Sequence, residues 1–196
     1  MKNFLFLLFT VSCLGQQCVH KNLSKDFDFS VQAMRLGNKP LDSCSVKITI
    51  HKKSGEGTAQ EIEFLFKSLY EESYKSYDAV MSHTTGVNKD LKVMDNDYGD
   101  LVVADLNFDN REDLAIKREE GGNGGPLYFF YLQNEDGEFV RDSFLTNSMA
   151  YFPFVIDPKE KKLVTLVHAN DYQMAETVYK LKGKRRWKEV SQRLVP

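Results

Sequence analysis

Apolar and polar residues alternate with a period of two along most of this chain, and that pattern commits it to β-structure. Phe27, Phe29, Val31 and Ala33 are interleaved with Asp28, Ser30 and Gln32. Val46, Ile48 and Ile50 are interleaved with Lys47, Thr49 and His51, and Ile62, Phe64 and Phe66 share one face. Successive side chains of a strand point to opposite faces, so such segments are half-buried strands. Further strands are expected at Leu101–Asp105, Leu114–Lys117, Leu127–Gln133, Phe139–Phe144, Tyr151–Ile156, Leu163–His168, Thr177–Leu181 and Trp187–Val190. Gly55-Glu56-Gly57, Asp136-Gly137, Asp157-Pro158 and Gly183 punctuate them as turns. Leu127-Tyr128-Phe129-Phe130-Tyr131-Leu132 is apolar or aromatic on both faces and reads as a central strand covered on either side. Lys67–Ser82 departs from the pattern; its Tyr70, Tyr74 and Tyr77 fit one face of a short helix or a packed connection. The expected fold is all-β, with propeller-like or sandwich-like antiparallel sheets.

Asp105-Leu106-Asn107-Phe108-Asp109-Asn110-Arg111-Glu112-Asp113 interrupts the alternation with oxygen-bearing side chains at its first, third, fifth and ninth positions. Calcium takes six to eight oxygen ligands at about 2.3–2.6 Å, so a short loop must turn several carboxylates inward. Asp105, Asn107, Asp109 and Asp113 offer side-chain oxygens, and Arg111 offers its backbone carbonyl. Asn110 stands at the sharp turn, where such loops usually carry Gly; Asn is next most tolerant of a left-handed backbone. Ile116 occupies the place of the EF-hand's closing Glu, and the flanks are strands, not helices. The segment therefore reads as a single strand–loop–strand, integrin- or EF-hand-like site for one structural calcium. The competing reading is a solvated acidic hairpin turn without metal. Asp95, Asp97 and Asp100 precede the loop and read as a polar turn, with a further ligand as the alternative.

The first residues read as an export signal: Lys2, the apolar run Phe4–Phe9, then small residues to Gly15. Cleavage there leaves residues 16–196 as one all-β domain beginning at Gln16. The alternative is a lipoprotein box, Val11-Ser12-Cys13, with the lipid anchor on Cys13. No later run is long enough to span a membrane as a helix. Cys18 and Cys44 then form an even pair in an oxidising compartment, and a Cys18–Cys44 disulfide is expected. A net charge of −2 with dispersed basic residues gives no footprint for nucleic acid. The one dense basic stretch, Lys182–Lys188, reads as a solvated turn, or as a contact for an anionic partner.

Gly121-Gly122-Asn123-Gly124-Gly125-Pro126 lacks the Lys-Ser/Thr of a phosphate loop and leads into a strand, so it is not a nucleotide cradle. It reads either as a flexible connection or as a protruding loop whose bare backbone enters a partner's cleft. Catalytic patterns are missing. His20, His51, His83 and His168 are far apart in sequence, and no Gly-x-Ser-x-Gly elbow occurs.

From about Asp100 to Val190 the chain resembles a family of exported Gram-negative proteins. That family's known member is a periplasmic lysozyme inhibitor, the immunity partner of a lysozyme-like effector of a type IV secretion system. The resemblance lies in the order of features: the Asp105–Leu114 loop, the Gly-rich loop into Leu127–Leu132, the Glu135–Val140 hairpin and the Tyr172–Leu181 strand region. It implies a propeller-like all-β fold with one EF-hand-like calcium loop, and the metal positions Asp105, Asn107, Asp109, Arg111 and Asp113. Asn110 in place of Gly is a departure. It also implies a non-enzymatic envelope protein, periplasmic or secreted, that binds a lysozyme-like peptidoglycan hydrolase and blocks its sugar cleft. A surface adhesion or glycan-binding module is the alternative, and an envelope hydrolase the third reading.

Overall fold

The computed structural model describes residues 16–37, 43–55, 57–66, 79–183 and 186–196. The expected export segment with Cys13, and the tyrosines Tyr70, Tyr74 and Tyr77, lie outside the described residues. The protein is all-β and sandwich-like, built of three sheets in chain order. The first is the antiparallel meander β1 (Gln16–His20), β2 (Phe27–Arg35), β3 (Cys44–Lys52) and β4 (Gln60–Phe66). The second holds β5 (Val80–Ser82), β6 (Leu101–Ala104), β7 (Asp113–Glu119), β8 (Leu127–Gln133) and β9 (Phe139–Arg141). Its β5–β6 pair is parallel and the others antiparallel. The third is the antiparallel meander β10 (Val155–Asp157), β11 (Lys162–Asn170), β12 (Gln173–Lys182) and β13 (Arg186–Val195).

The second sheet is the middle layer, and the alternation of its side chains divides it between two cores. Leu101, Val103, Leu114 and Ile116 pack with Phe29, Val31, Val46, Ile48 and Phe66 of the first sheet. Val102, Ala104, Ala115, Tyr128 and Phe130 pack with Leu163, Tyr179, Leu181 and Trp187 of the third. Full burial of one such side chain is worth about 1.5–3 kcal/mol, so a sheet buried on both faces carries a large share of the stabilisation. This is why β6 and β8 read as near-continuous apolar runs, while β2 and β3 of the first sheet alternate.

The segment expected as a strand over Phe139–Phe144 is shorter. β9 stops at Arg141, and the chain enters a π-helical turn over Leu145–Met149. The turn completes the edge of β8 by other means. Phe130 N–H donates to Thr146 Oγ1 at 3.0 Å, and Tyr128 N–H to the Ala150 carbonyl at 2.8 Å. Thr146 and Ala150 thus cover an edge that would otherwise be open to another strand.

The expected Cys18–Cys44 bridge is absent, and the register explains why. Cys18 lies opposite Val31 of β2, Val31 lies opposite Ile48 of β3, and Cys44 stands at the far end of β3 beside Arg35. The whole width of β2 separates the two cysteines. Strands lie about 4.8 Å apart and residues rise about 3.4 Å along them, so the pair is far outside the roughly 7 Å Cα limit of a disulfide.

His83 follows β5, donates its N–H to the Val103 carbonyl at 2.8 Å, and stacks on Phe152 with centroids 5.6 Å apart. Its Nε2 is buried without a partner among the described residues. Burial, with Lys89 nearby, holds its pKa below the ordinary 6.5. The unfolded chain therefore binds a proton here more readily than the folded one, and stability is lost as pH falls below about 6.5. Urea unfolding at pH 7.5 and 5.5 should show this loss, and His83→Phe should lose less than the parent over the same interval. An equal loss in both proteins would assign the acid sensitivity elsewhere.

Candidate functional site

The Asp105–Asp113 loop joins β6 to β7 and lies where all three sheets meet. Phe108 and Asn110 adopt left-handed backbone angles, with φ of 62° and 64°. Asn110 thus takes the conformation expected of the residue that replaces Gly. Asp105 fastens the turn: its Oδ1 accepts Asp109 N–H at 3.1 Å and its Oδ2 accepts Asn110 N–H at 2.9 Å. Asp109 Oδ1 accepts Arg111 N–H at 2.9 Å. Leu106 is fully buried in the second core, and Phe108 packs toward Trp187 of β13 with centroids 6.1 Å apart.

Asp113 is wholly buried. Its Oδ2 accepts N–H groups from Leu106 at 2.8 Å and Asn107 at 3.2 Å, and its Oδ1 accepts that of Gln133 on β8 at 2.9 Å. Burial pushes its pKa up to about 8, with Asp109 and Asp105 adding to the rise and the Gln133 and Leu106 bonds opposing it. Glu112 points the other way, toward the first sheet. It accepts Thr84 Oγ1 at 2.6 Å, Lys25 N–H at 3.1 Å and the Ser24 hydroxyl. Glu112 was not legible as a site residue, because nothing in its spacing separates a buried clamp from a solvated loop carboxylate.

The loop satisfies itself with its own hydrogen bonds. Asp109 Oδ2 takes the Arg111 guanidinium at 2.6 Å and the Asn107 amide at 3.0 Å. Among the described residues no three Asp, Glu, His or Cys side chains converge as a metal site. The donor chemistry nonetheless suits a hard cation. Each carboxylate has about four lone-pair positions, and Asp105 spends two of them on main-chain N–H groups. Asn107 Oδ1 accepts Asp109 N–H at 3.1 Å, and Asp109 Oδ2 is held by the Arg111 guanidinium, which a cation would have to displace.

Asp97 and Asp100 belong to a different constellation, centred on Lys117 of β7. Its side chain is 5% exposed, and its ammonium lies 2.9 Å from Asp97, 3.1 Å from Asp100 and 3.9 Å from Glu120. Burial alone would lower the Lys117 pKa, but Asp100, Asp97 and Glu120 outweigh it and hold the amine charged. Burial raises Asp100 to about 7 against the pull of Lys117. These aspartates therefore serve the middle sheet and not the loop. A buried cation paired on several sides costs least while every partner is present.

The Gly121–Pro126 loop is docked along much of its length. Gly125 and Pro126 are buried, and only Gly122 and Asn123 are exposed. Gly125 has φ of 88°, and a Cβ there would stand 2.0 Å from the Asp95 carbonyl. A Cβ on Gly124 would meet Val167 Cγ1 at 2.7 Å and the Tyr151 hydroxyl at 2.8 Å. The glycines thus allow close packing, and the projecting part is the Gly122-Asn123 tip alone. That tip lies beside the β11–β12 turn, sharing a cavity of about 480 Å³ with Asn170 and Asp171. The next residue, Tyr172, is 87% exposed.

No protein-family model matches the chain, and no curated protein does. The fold is similar to that of a Xanthomonas type IV secretion system related protein of known structure, with a TM-score of 0.59 and 14% identity. The match covers 91% of this chain and 81% of that one. At that identity the likeness is one of fold.

Proposed function

We propose that this protein is a non-enzymatic, cell-envelope binder and inhibitor of a lysozyme-like peptidoglycan hydrolase. The observation that carries the reading is the fold it has in common, over 91% of its length, with a type IV secretion system related protein. The ordered sequence features from the Asp105–Asp113 loop to the Tyr172–Leu181 region support the same reading. Inhibition would be steric. The leading edge is formed by the Gly122-Asn123 tip and the adjacent turn carrying Tyr172, an exposed aromatic side chain on a tight hairpin. Tyr172 N–H donates to Asn170 Oδ1 at 2.9 Å, which fixes the turn before any partner arrives.

Residual activity of a panel of lysozymes, measured with increasing protein, tests this directly. At least one member should be inhibited stoichiometrically. Tyr172→Ala should weaken that inhibition about thirtyfold, the effect of losing an anchor worth about 2 kcal/mol. Failure to inhibit any member, or full potency in Tyr172→Ala, would remove the inhibitor reading or this edge respectively.

We further propose one structural calcium at Asp105, Asn107, Asp109, Asp113 and the Arg111 carbonyl. Its role would be to hold the junction of the sheets, since a ligand that binds only the folded state stabilises it. At a hundredfold excess over Kd the gain is about 2.7 kcal/mol. Chelator should lower the melting temperature, and Asp105→Ala should abolish that response. Arg111→Ala should strengthen calcium binding by freeing Asp109, because only the main chain of position 111 is a ligand. Identical melting curves with calcium and with chelator would leave the self-bonded acidic turn as the whole account of the loop.

A further inference from the structure

A second surface lies behind the projecting edge. A cavity of about 420 Å³ is floored by Phe154, Leu166 and Met174 and bordered by Asp95, Asn96 and His168. It adjoins the cavity beneath the Gly122-Asn123 tip, and Asp95 and His168 line both. Its volume falls in the roughly 300–1,000 Å³ range of small-ligand sites, and its lining is an apolar floor with a few polar groups. Phe154 leaves 62% of its surface open beside that floor. Among the described residues the carboxylate of Asp95 and the imidazole of His168 make no hydrogen bond or ion pair, so their bonding capacity is unspent.

The rim is also a tight reverse turn, closed between Met94 and Asp97. Asp95 and Asn96 are consecutive non-glycine residues at φ of 49° and 60°. Three contacts enforce this corner: Asp97 N–H to the Met94 carbonyl at 2.9 Å, Asn96 Nδ2 to the Gly124 carbonyl at 3.0 Å, and the packing of Gly125 against the Asp95 carbonyl. The turn thus presents Asp95 and Asn96 in one fixed orientation.

The lining chemistry selects the ligand. Among the described residues no Lys or Arg borders either cavity, while Asp95 and Asp171 are exposed carboxylates, a lining that disfavours phosphates and other anions. An open aromatic face suits the apolar face of a pyranose ring. Carboxylate and amide groups at Asp95, Asn96, Asn123 and Asn170 suit its hydroxyls, each both donor and acceptor. We infer that this groove is a binding site for a neutral saccharide chain; it adjoins the edge proposed to meet the hydrolase and has Asn123 in common with it, but does not depend on that proposal.

The test is a titration of the full chain with the β-1,4-linked trimer of N-acetylglucosamine, with maltotriose and with a short lysine peptide, followed by amide NMR shifts and calorimetry. The inference predicts saturable shifts at Asp95, Asn96, Asn123 and His168 with at least one saccharide. Binding should be lost in Phe154→Ser and weakened about tenfold in Asp95→Asn, a change that keeps a residue tolerant of the left-handed backbone. The variants' unchanged amide spectra away from the groove would exclude misfolding. Which saccharide binds distinguishes an amino-sugar backbone from a glucan. Absence of saturable shifts with both saccharides, or shifts with the lysine peptide alone, would overturn the inference.

Discussion

Asp113 is completely enclosed, and its two oxygens take main-chain N–H groups from the start of its own loop and from β8. Those donors have no other way to be satisfied at that depth, and an unmade buried hydrogen bond costs about 1–3 kcal/mol. The carboxylate therefore ties the entry of the loop to its exit, and both to the neighbouring strand. Beside it, Glu112 holds the β1–β2 connection and Thr84, while Phe108 reaches Trp187 of the third sheet. Nine consecutive residues thus contact all three layers. Any cation bound by the loop would act on the whole packing, not on a surface turn.

The outer faces are arranged around that junction. Gln60 of β4 reaches across from the first sheet, donating to the Phe139 carbonyl at 2.7 Å and accepting Phe139 N–H at 2.8 Å. Lys117 gathers Asp97, Asp100 and Glu120, which steadies the segment between β5 and β6. That segment in turn supplies Asp95 and Asn96 to the groove, and Gly125 seats the Gly-rich loop against it. The exposed edge and the groove are each presented by short, hydrogen-bonded turns.

Much of this was legible in the sequence where a single physical rule dominates. Period-two alternation located the longer strands, and two-sided apolarity marked β8 as central because a strand covered on both faces has no polar side. The loop showed itself through its spaced oxygens, and Asn110 through the backbone that its position demands. What escaped notice depends on partners distant in the chain. β1 and β5 are too short and too mixed in character to declare themselves. The closing of β8 by a π-helical turn cannot be read from Phe139–Phe144, whose apolar content fits a strand equally well. The cysteine pair failed as a bridge because parity says nothing about register. Lys117 looks solvent-facing in isolation, and only the three-dimensional arrival of Asp97 and Asp100 makes its burial tolerable. The Gly-rich loop suggested freedom, whereas the glycines are there because Gly124 and Gly125 touch other backbone and side chains too closely for a Cβ.

If the Asp113 carboxylate is the tie on which the three layers depend, the N–H groups it receives should open only when the whole domain opens. Native-state hydrogen exchange at Leu106, Asn107 and Gln133 measures this directly. The account predicts opening free energies at these amides equal to those of the β7–β8 ladder. Exchange at Leu106 and Asn107 several kcal/mol more easily than at the ladder would contradict it, and would make the loop a local turn fastened onto an independently stable frame.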